Sequence, residues 1–327
     1  MALSLFIYLS ATAQNTPILH DYAQHGEANL SSESEFDRLA NIRHAPRAND
    51  NKGCFLTKEV YGWHPAWCGT AYESYDFNLL STVAYLGYVV NPATGDPADL
   101  FQWRSTRLVE QAHANGAAVE LTVLNSGAGC ARLLGNPEAM ANLCDQAVAL
   151  VREKDADGIC LVFEGLAGAQ AKAFAGFVGQ LSDSLHGKIR NARLTLALPG
   201  TDAEKAFDLK ALRGKVDRFV LLPFSEAGPT AKVAAAVSPM GAVEQAVEAY
   251  KARGLPLNKT LLGVSYMGYL WKTNGLEAGA SALRKGKSVQ VRQLDTDFRG
   301  QNAIVDSLSG ATFFRMALES GNEQLWI

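Results

Sequence analysis

The chain has 327 residues, with 30 Lys+Arg against 33 Asp+Glu and a formal charge of −3. So even a balance argues against nucleic acid or an anionic membrane surface as main partner, since both need clustered cations. A composition 48% hydrophobic and 19% charged excludes a chain kept disordered by its own charge.

The N-terminus opens on a short apolar run, Leu3–Leu9, followed by Ala11-Thr12-Ala13, an A-x-A match for signal peptidase. No Lys or Arg precedes the run, yet the pattern predicts a signal peptide over 1–13 and a secreted or periplasmic protein. The run is too short to span a bilayer, which needs ~20 apolar residues. Residues 14–57 are polar and irregular and read as a leader or linker carrying one short helix. Five cysteines (Cys54, Cys68, Cys130, Cys144, Cys160) fit no metal-ligand spacing, and their odd number leaves at least one thiol unpaired. Cys160, inside an apolar run, is the expected buried one. The six histidines are scattered, so neither a metal site nor a cofactor is expected.

From residue 58 the pattern changes to alternating strands and helices. Apolar runs predict strands at Val60–Trp63, Thr82–Val90, Ala118–Leu124, Gly158–Phe163, Arg193–Leu198, Asp217–Leu222 and Thr260–Tyr266. Amphipathic stretches predict helices at Trp103–Asn115, at Pro137–Lys154 with Asn136 as cap, at Ala169–His186 closed by Gly187, and at Pro239–Arg253. Gly127-Ala128-Gly129 reads as a flexible loop. Strands at intervals of about 20–40 residues, mostly with helices between, mean βα units and a parallel sheet. No G-x-G-x-x-G follows the first strand, which disfavours a dinucleotide fold. The expected architecture over 58–327 is therefore an α/β, (β/α)8 TIM-barrel-like fold, with chemistry at the C-terminal strand ends.

The fourth strand reads Asp157-Gly158-Ile159-Cys160-Leu161-Val162-Phe163-Glu164. Alternation puts Gly158, Cys160, Val162 and Glu164 on one face and Ile159, Leu161 and Phe163 on the other. The stretch resembles the D-G-x-D-x-D-[WF]-E strand of glycoside hydrolase family 18, the chitinases and their relatives. Two further stretches resemble that family: Val60–Trp67 its first strand, and Gly254–Gly268 its seventh, with Ser265 and Met267 in place of a proline and a tyrosine. The resemblance covers about residues 59–327. It implies that Glu164 is the general acid of a substrate-assisted reaction, in which the sugar's own 2-acetamido oxygen attacks the anomeric carbon.

The same resemblance locates departures. The aspartate that would hold the acetamido group is Val162, and the other middle aspartate is Cys160. The sixth-strand M-x-Y-D stretch is Leu222-Pro223-Phe224-Ser225, which lacks both the hydroxyl and the carboxylate. Gly321–Ile327 resembles the stretch before the family's last βα unit, so the eighth strand and its tryptophan are expected to be missing. Strand-end aromatics Trp63 and Tyr266, with Phe224 and Trp271, are the candidate substrate-binding residues, because pyranose faces stack on aromatic rings. A serine hydrolase is disfavoured, since Gly263-Val264-Ser265-Tyr266-Met267 lacks the closing glycine of G-x-S-x-G.

Two functions remain open at this level. One is a chitinase-like domain that binds an N-acetylglucosamine-containing polysaccharide of the chitin type with impaired hydrolysis. The other is an active retaining hydrolase of β-1,4-N-acetylglucosamine linkages. A monomer is expected in either case.

Overall fold

The computed structural model describes Tyr22 and residues 30–39, 56–224 and 228–327. The predicted signal peptide, most of the leader, Cys54 and Ser225 lie outside the described residues. Seven parallel strands form one curved sheet in the order β1 (Tyr61–Pro65), β2 (Thr82–Val90), β4 (Ala118–Ser126), β5 (Gly158–Glu164), β6 (Arg193–Pro199), β7 (Arg218–Leu222) and β8 (Thr260–Leu262). A short β3 (Pro97–Asp99) pairs antiparallel with β2. Among the described residues β1 is joined only to β2, and β8 only to β7.

Both faces of this sheet are buried, which is why its strands read as continuous apolar runs. Alternation sorts the side chains. Ile159, Leu161 and Phe163 of β5 join an outer core with the helices, whereas Cys160 and Val162 join an inner cluster with Ala84, Leu86, Leu124, Ala197, Val220 and Leu222. In β2 the register shifts between Leu86 and Tyr88, and Tyr88 joins the outer core, as a bulge at Gly87 requires.

Helices α2 (Leu108–Ala114), α3 (Ala128–Leu134), α4 (Pro137–Glu153), α5 (Ala171–Lys188) and α6 (Met240–Ala252) follow the strands, after a short α1 (Glu33–Leu39). Helix α4 starts where its sequence dictates. Asn136 Oδ1 accepts from the backbone N–H groups of Glu138 and Ala139, and Pro137 occupies the first turn. Helix α5 sets Phe174 and Phe177 against Phe163, with ring centroids 5.2 and 5.6 Å away.

Three helix boundaries differ from the sequence reading. Trp103 belongs to a turn before α2, fully buried, with its indole N–H on Leu150 O at 3.3 Å. Gly187 lies inside α5 rather than closing it. The Gly127–Gly129 stretch is no flexible loop: Gly127, at φ +54°, caps α3 and donates to Glu164 O at 2.9 Å.

Two βα units share a clamp at the N-terminal strand ends. Asp157 accepts from Val119 N at 2.7 Å and pairs with His113 Nε2 at 2.8 Å. Asp217 accepts from Leu194 N at 2.8 Å and pairs with His186 Nε2 at 2.9 Å. Each aspartate thus fastens the start of its own strand to a neighbouring strand and to a helix.

After β8 the chain leaves the parallel sheet. Residues 267–326 build a five-stranded antiparallel sheet in the order β10 (Lys287–Gln290), β9 (Met267–Thr273), β13 (Gly321–Trp326), β12 (Thr312–Leu318) and β11 (Ile304–Val305). One face holds Tyr269, Trp271, Phe313 and Trp326, and the other Phe314, Met316, Leu325 and Phe298. Among the described residues no helix is long and apolar enough to cross a membrane.

Candidate functional site

Glu164 is the last residue of β5 and is 6% exposed. The alternation that carries Cys160 and Val162 into the inner cluster puts Glu164 on the same face, one step nearer the C-terminal mouth. Its backbone is fixed from behind, where Gly127 N and Cys130 Sγ both reach its carbonyl oxygen. Burial, with the Glu164 charge adding to it, pushes the Cys130 thiol up to about 12, so this sulfur is no nucleophile at neutral pH. Cys160 is fully buried with a free thiol, held well above its ordinary range by the same burial.

The aromatics expected around this carboxylate divide. Trp63 on β1 and Phe224 after β7 are half-buried and pack on the inner cluster that contains Val162. Among the described residues the buried Trp63 indole N–H has no hydrogen-bond partner. Tyr266 stands just past β8, 79% exposed. Trp271 is placed elsewhere. It lies on β9 of the antiparallel sheet, 0% exposed, its ring among Tyr269, Phe313 and Trp326. The period of two along β9 turns Tyr269 and Trp271 into that sheet's own core, so Trp271 has no face to offer a sugar.

The seventh strand is shorter than its sequence suggests. Ladder pairing stops at Leu262, and Ser265 Oγ bonds the Met267 backbone within a turn. Beyond that point Val264 and Tyr266 face solvent.

Deeper in the barrel lies a charged network that sequence reasoning missed. Arg218 Nη1 donates to Glu120 Oε1 at 2.8 Å and to Thr195 Oγ1 at 3.3 Å, while its other nitrogens bond Glu59. Tyr61 donates to Glu120 Oε2 at 2.8 Å, and the guanidinium lies 5.1 Å from the centre of its ring. Burial raises the Glu120 carboxyl from its ordinary 4.5 to about 7, against the opposite pull of Arg218, Tyr61 and Thr195. The signal was available: a glutamate inside Ala118–Leu124 and an arginine heading Arg218–Leu222 are charges within otherwise apolar strands, which must find partners when buried.

A cavity of about 630 Å³ opens below this network at the N-terminal face, bordered by Glu59, Glu120, Asp157 and Arg193. Its charged groups are already engaged with one another or with backbone, and that end of a barrel serves stability. Among the described residues no three His, Cys, Asp or Glu side chains are grouped to hold a metal.

Seven parallel strands with their helices, and one buried carboxylate at the end of the fourth strand, make this a TIM-barrel-like protein. Comparison with known proteins gives the family: the sequence profile of glycosyl hydrolases family 18 matches residues 124–313, and the chain belongs to that family. One relative is the Bacillus subtilis (strain 168) protein named "Putative sporulation-specific glycosylase YdhD", 26% identical over 151 residues. That match takes in 43% of this chain and 34% of the relative, so the chain spans about a third of its length.

Solved structures share the fold. A family 18 chitinase from Cycas revoluta, crystallised with (GlcNAc)3, superposes with a TM-score of 0.72 at 15% identity, covering 81% of this chain and 86% of that one. The Bacillus cereus spore cortex-lytic enzyme SleL gives 0.63 at 18% identity, covering 76% of this chain and 58% of that one.

Proposed function

We propose that the strand-end cleft binds an N-acetylglucosamine-containing polysaccharide of the chitin type, and that hydrolysis there is impaired. The observation that carries this reading is the setting of Glu164. The next residue on its face, Val162, is 1% exposed within an apolar cluster, where the resemblance calls for a carboxylate. Glu164 retains the place of a proton donor for the glycosidic oxygen. Val162 can neither hold an acetamido N–H nor balance the positive charge of an oxazolinium, and Phe224 has no hydroxyl to assist it. Loss of one such positioned group typically lowers turnover ~10²–10³-fold. Ser225, which replaces the sixth-strand carboxylate, removes a further one by the same resemblance.

Trp63 supports the binding half of the reading as a half-buried aromatic ring beside the inner cluster. The (GlcNAc)3 named in the Cycas revoluta structure is the matching class of ligand, bound by that protein. The second reading, an active retaining hydrolase, rests on Glu164 standing at the end of β5.

Incubating the purified protein with chitin oligosaccharides separates the two. Saturable binding without shorter products supports the binding domain. Products that vanish in Glu164→Gln support the hydrolase, and neither binding nor products overturns both. We also propose, from the N-terminal apolar run and its A-x-A match, that the protein is secreted or periplasmic, and that it is a monomer. N-terminal sequencing of the mature chain should start at Gln14, and gel filtration should return the mass of one chain.

A further inference from the structure

Helix α1 does not trail away from the barrel. It lies on the loops that leave β1 and β2 at the C-terminal mouth. Phe36 is 3% exposed and belongs to the same apolar cluster as Leu86, Leu124 and Val162. Four hydrogen bonds tie the segment down. Thr70 donates to Asp37 from its backbone N–H at 3.2 Å and from its hydroxyl at 2.7 Å. Tyr72 donates to Glu33 Oε2 at 2.7 Å, and Gln102 Nε2 to Leu30 O at 2.9 Å. Gly69, at φ +55°, lets the helix approach, because a Cβ there would sit 2.1 Å from Asp37 Oδ1.

The same segment occupies aromatic surface. Tyr22 lies with its ring centroid 6.3 Å from those of both Trp67 and Phe101, two of the rings in these loops. Past β8 the situation is the reverse, with Val264 70% and Tyr266 79% exposed. Burying a phenyl ring contributes ~2 kcal/mol, and bonds to carboxylates are the stronger kind. The segment is therefore built as fixed structure rather than as a lid.

We propose that helix α1 is the end wall of the cleft, closing it on the β1–β2 side so that a glycan is held by one terminus and not along its middle. This rests on the sugar-binding reading above. A blind cleft has a finite number of sugar positions, so units beyond the last position add nothing to affinity.

The test is titration of N-acetylglucosamine oligomers of increasing length, from two units to six, into the wild type, Phe36→Ala and Asp37→Ala. Thermal melting establishes that each protein is folded, and Asp37→Ala leaves the buried ring in place should Phe36→Ala fail to fold. Wild-type affinity should level off within this series. In a variant with the wall loosened, each further unit should continue to raise affinity, by about threefold or more, which is above the error of a measured Kd. A wild-type affinity still climbing at six units, or the same length profile in all three proteins, overturns the wall and leaves the sugar reading intact. No binding of any oligomer by the wild type overturns both.

Discussion

Arg218 and Glu120 meet inside the barrel at 2.8 Å, with side chains only 4% and 1% exposed. Because burial lifts the Glu120 carboxyl to about 7 in the folded chain, from an ordinary 4.5, the folded state binds this proton more tightly than the unfolded one. The stabilisation is complete below about 4.5 and is lost as pH climbs through about 7. The stability of the wild type relative to Glu120→Gln should therefore fall over that window, by at most ~1.4 kcal/mol per pH unit. Urea midpoints at both ends check it, and a difference that holds constant or grows with pH refutes it.

Removing the cation has a larger expected effect. Arg218→Met leaves Glu120 without its counter-charge in the lumen and takes two bonds from Glu59. Such a break typically destabilises by ~3–5 kcal/mol, readable by chemical denaturation. A loss below about 1 kcal/mol, the scale of an exposed pair, would show that water reaches the network.

Asp157 opens the recognised strand but does no chemistry there, since its carboxylate faces Val119 N and His113 at the far end of the barrel from Glu164. Asp157→Ala should lower stability by ~1–3 kcal/mol. Glycan binding by the folded protein should be unchanged, and weakened binding in a variant of native stability would contradict this account.

Restoring the absent partners is the direct test of the impairment proposed above. Val162→Asp with Phe224→Tyr should raise the release of short sugars above that of the parent. Val162 is enclosed by apolar neighbours, so a carboxylate there is costly to bury, and a lowered melting temperature is expected as well. A folded double variant with no gain in products counts against the alignment of Val162 with the missing aspartate.

Docking of helix α1 should depend on pH. Burial holds the Glu33 carboxyl above its ordinary value, with Asp37 and Glu73 adding to the rise, against hydrogen bonds from Thr106 and Tyr72. The docked helix thus favours the protonated acid. The contribution of Glu33 to its hold is full below about 4.5 and weakens as pH rises through the elevated value. Amide exchange over residues 30–39, corrected for intrinsic rates, should be slower at acid than at neutral pH, and Glu33→Gln should flatten the difference.

The parallel sheet was legible because continuous apolar runs leave few alternatives, and Asn136-Pro137 fixed one helix start to the residue. The outer face of β5 also followed from alternation alone, with Phe163 falling on α5. Other features depended on tertiary context. Trp271 sits in an alternating stretch that suits any half-buried sheet, and only the pairing of β9 with β13 shows which sheet that is. The seventh strand was read too long because Val264 and Tyr266 continue its alternation, although no ladder continues with them. Helix α3 was missed because glycines at 127 and 129 look like a loop, while one of them is the cap. Glu120 and Arg218 lie far apart in sequence, and their partnership exists only once the strands curl together.

The clamp formed by Asp157 bears on how such proteins are to be sorted. The opening part of the fourth-strand pattern is, in this chain, a bolt between two strands. The part it lacks is where a positive intermediate would need company. A pattern weighted towards the bolt gathers barrels by how they are joined, and on the function proposed above the inward position of Val162 is where holding and cutting a sugar would part.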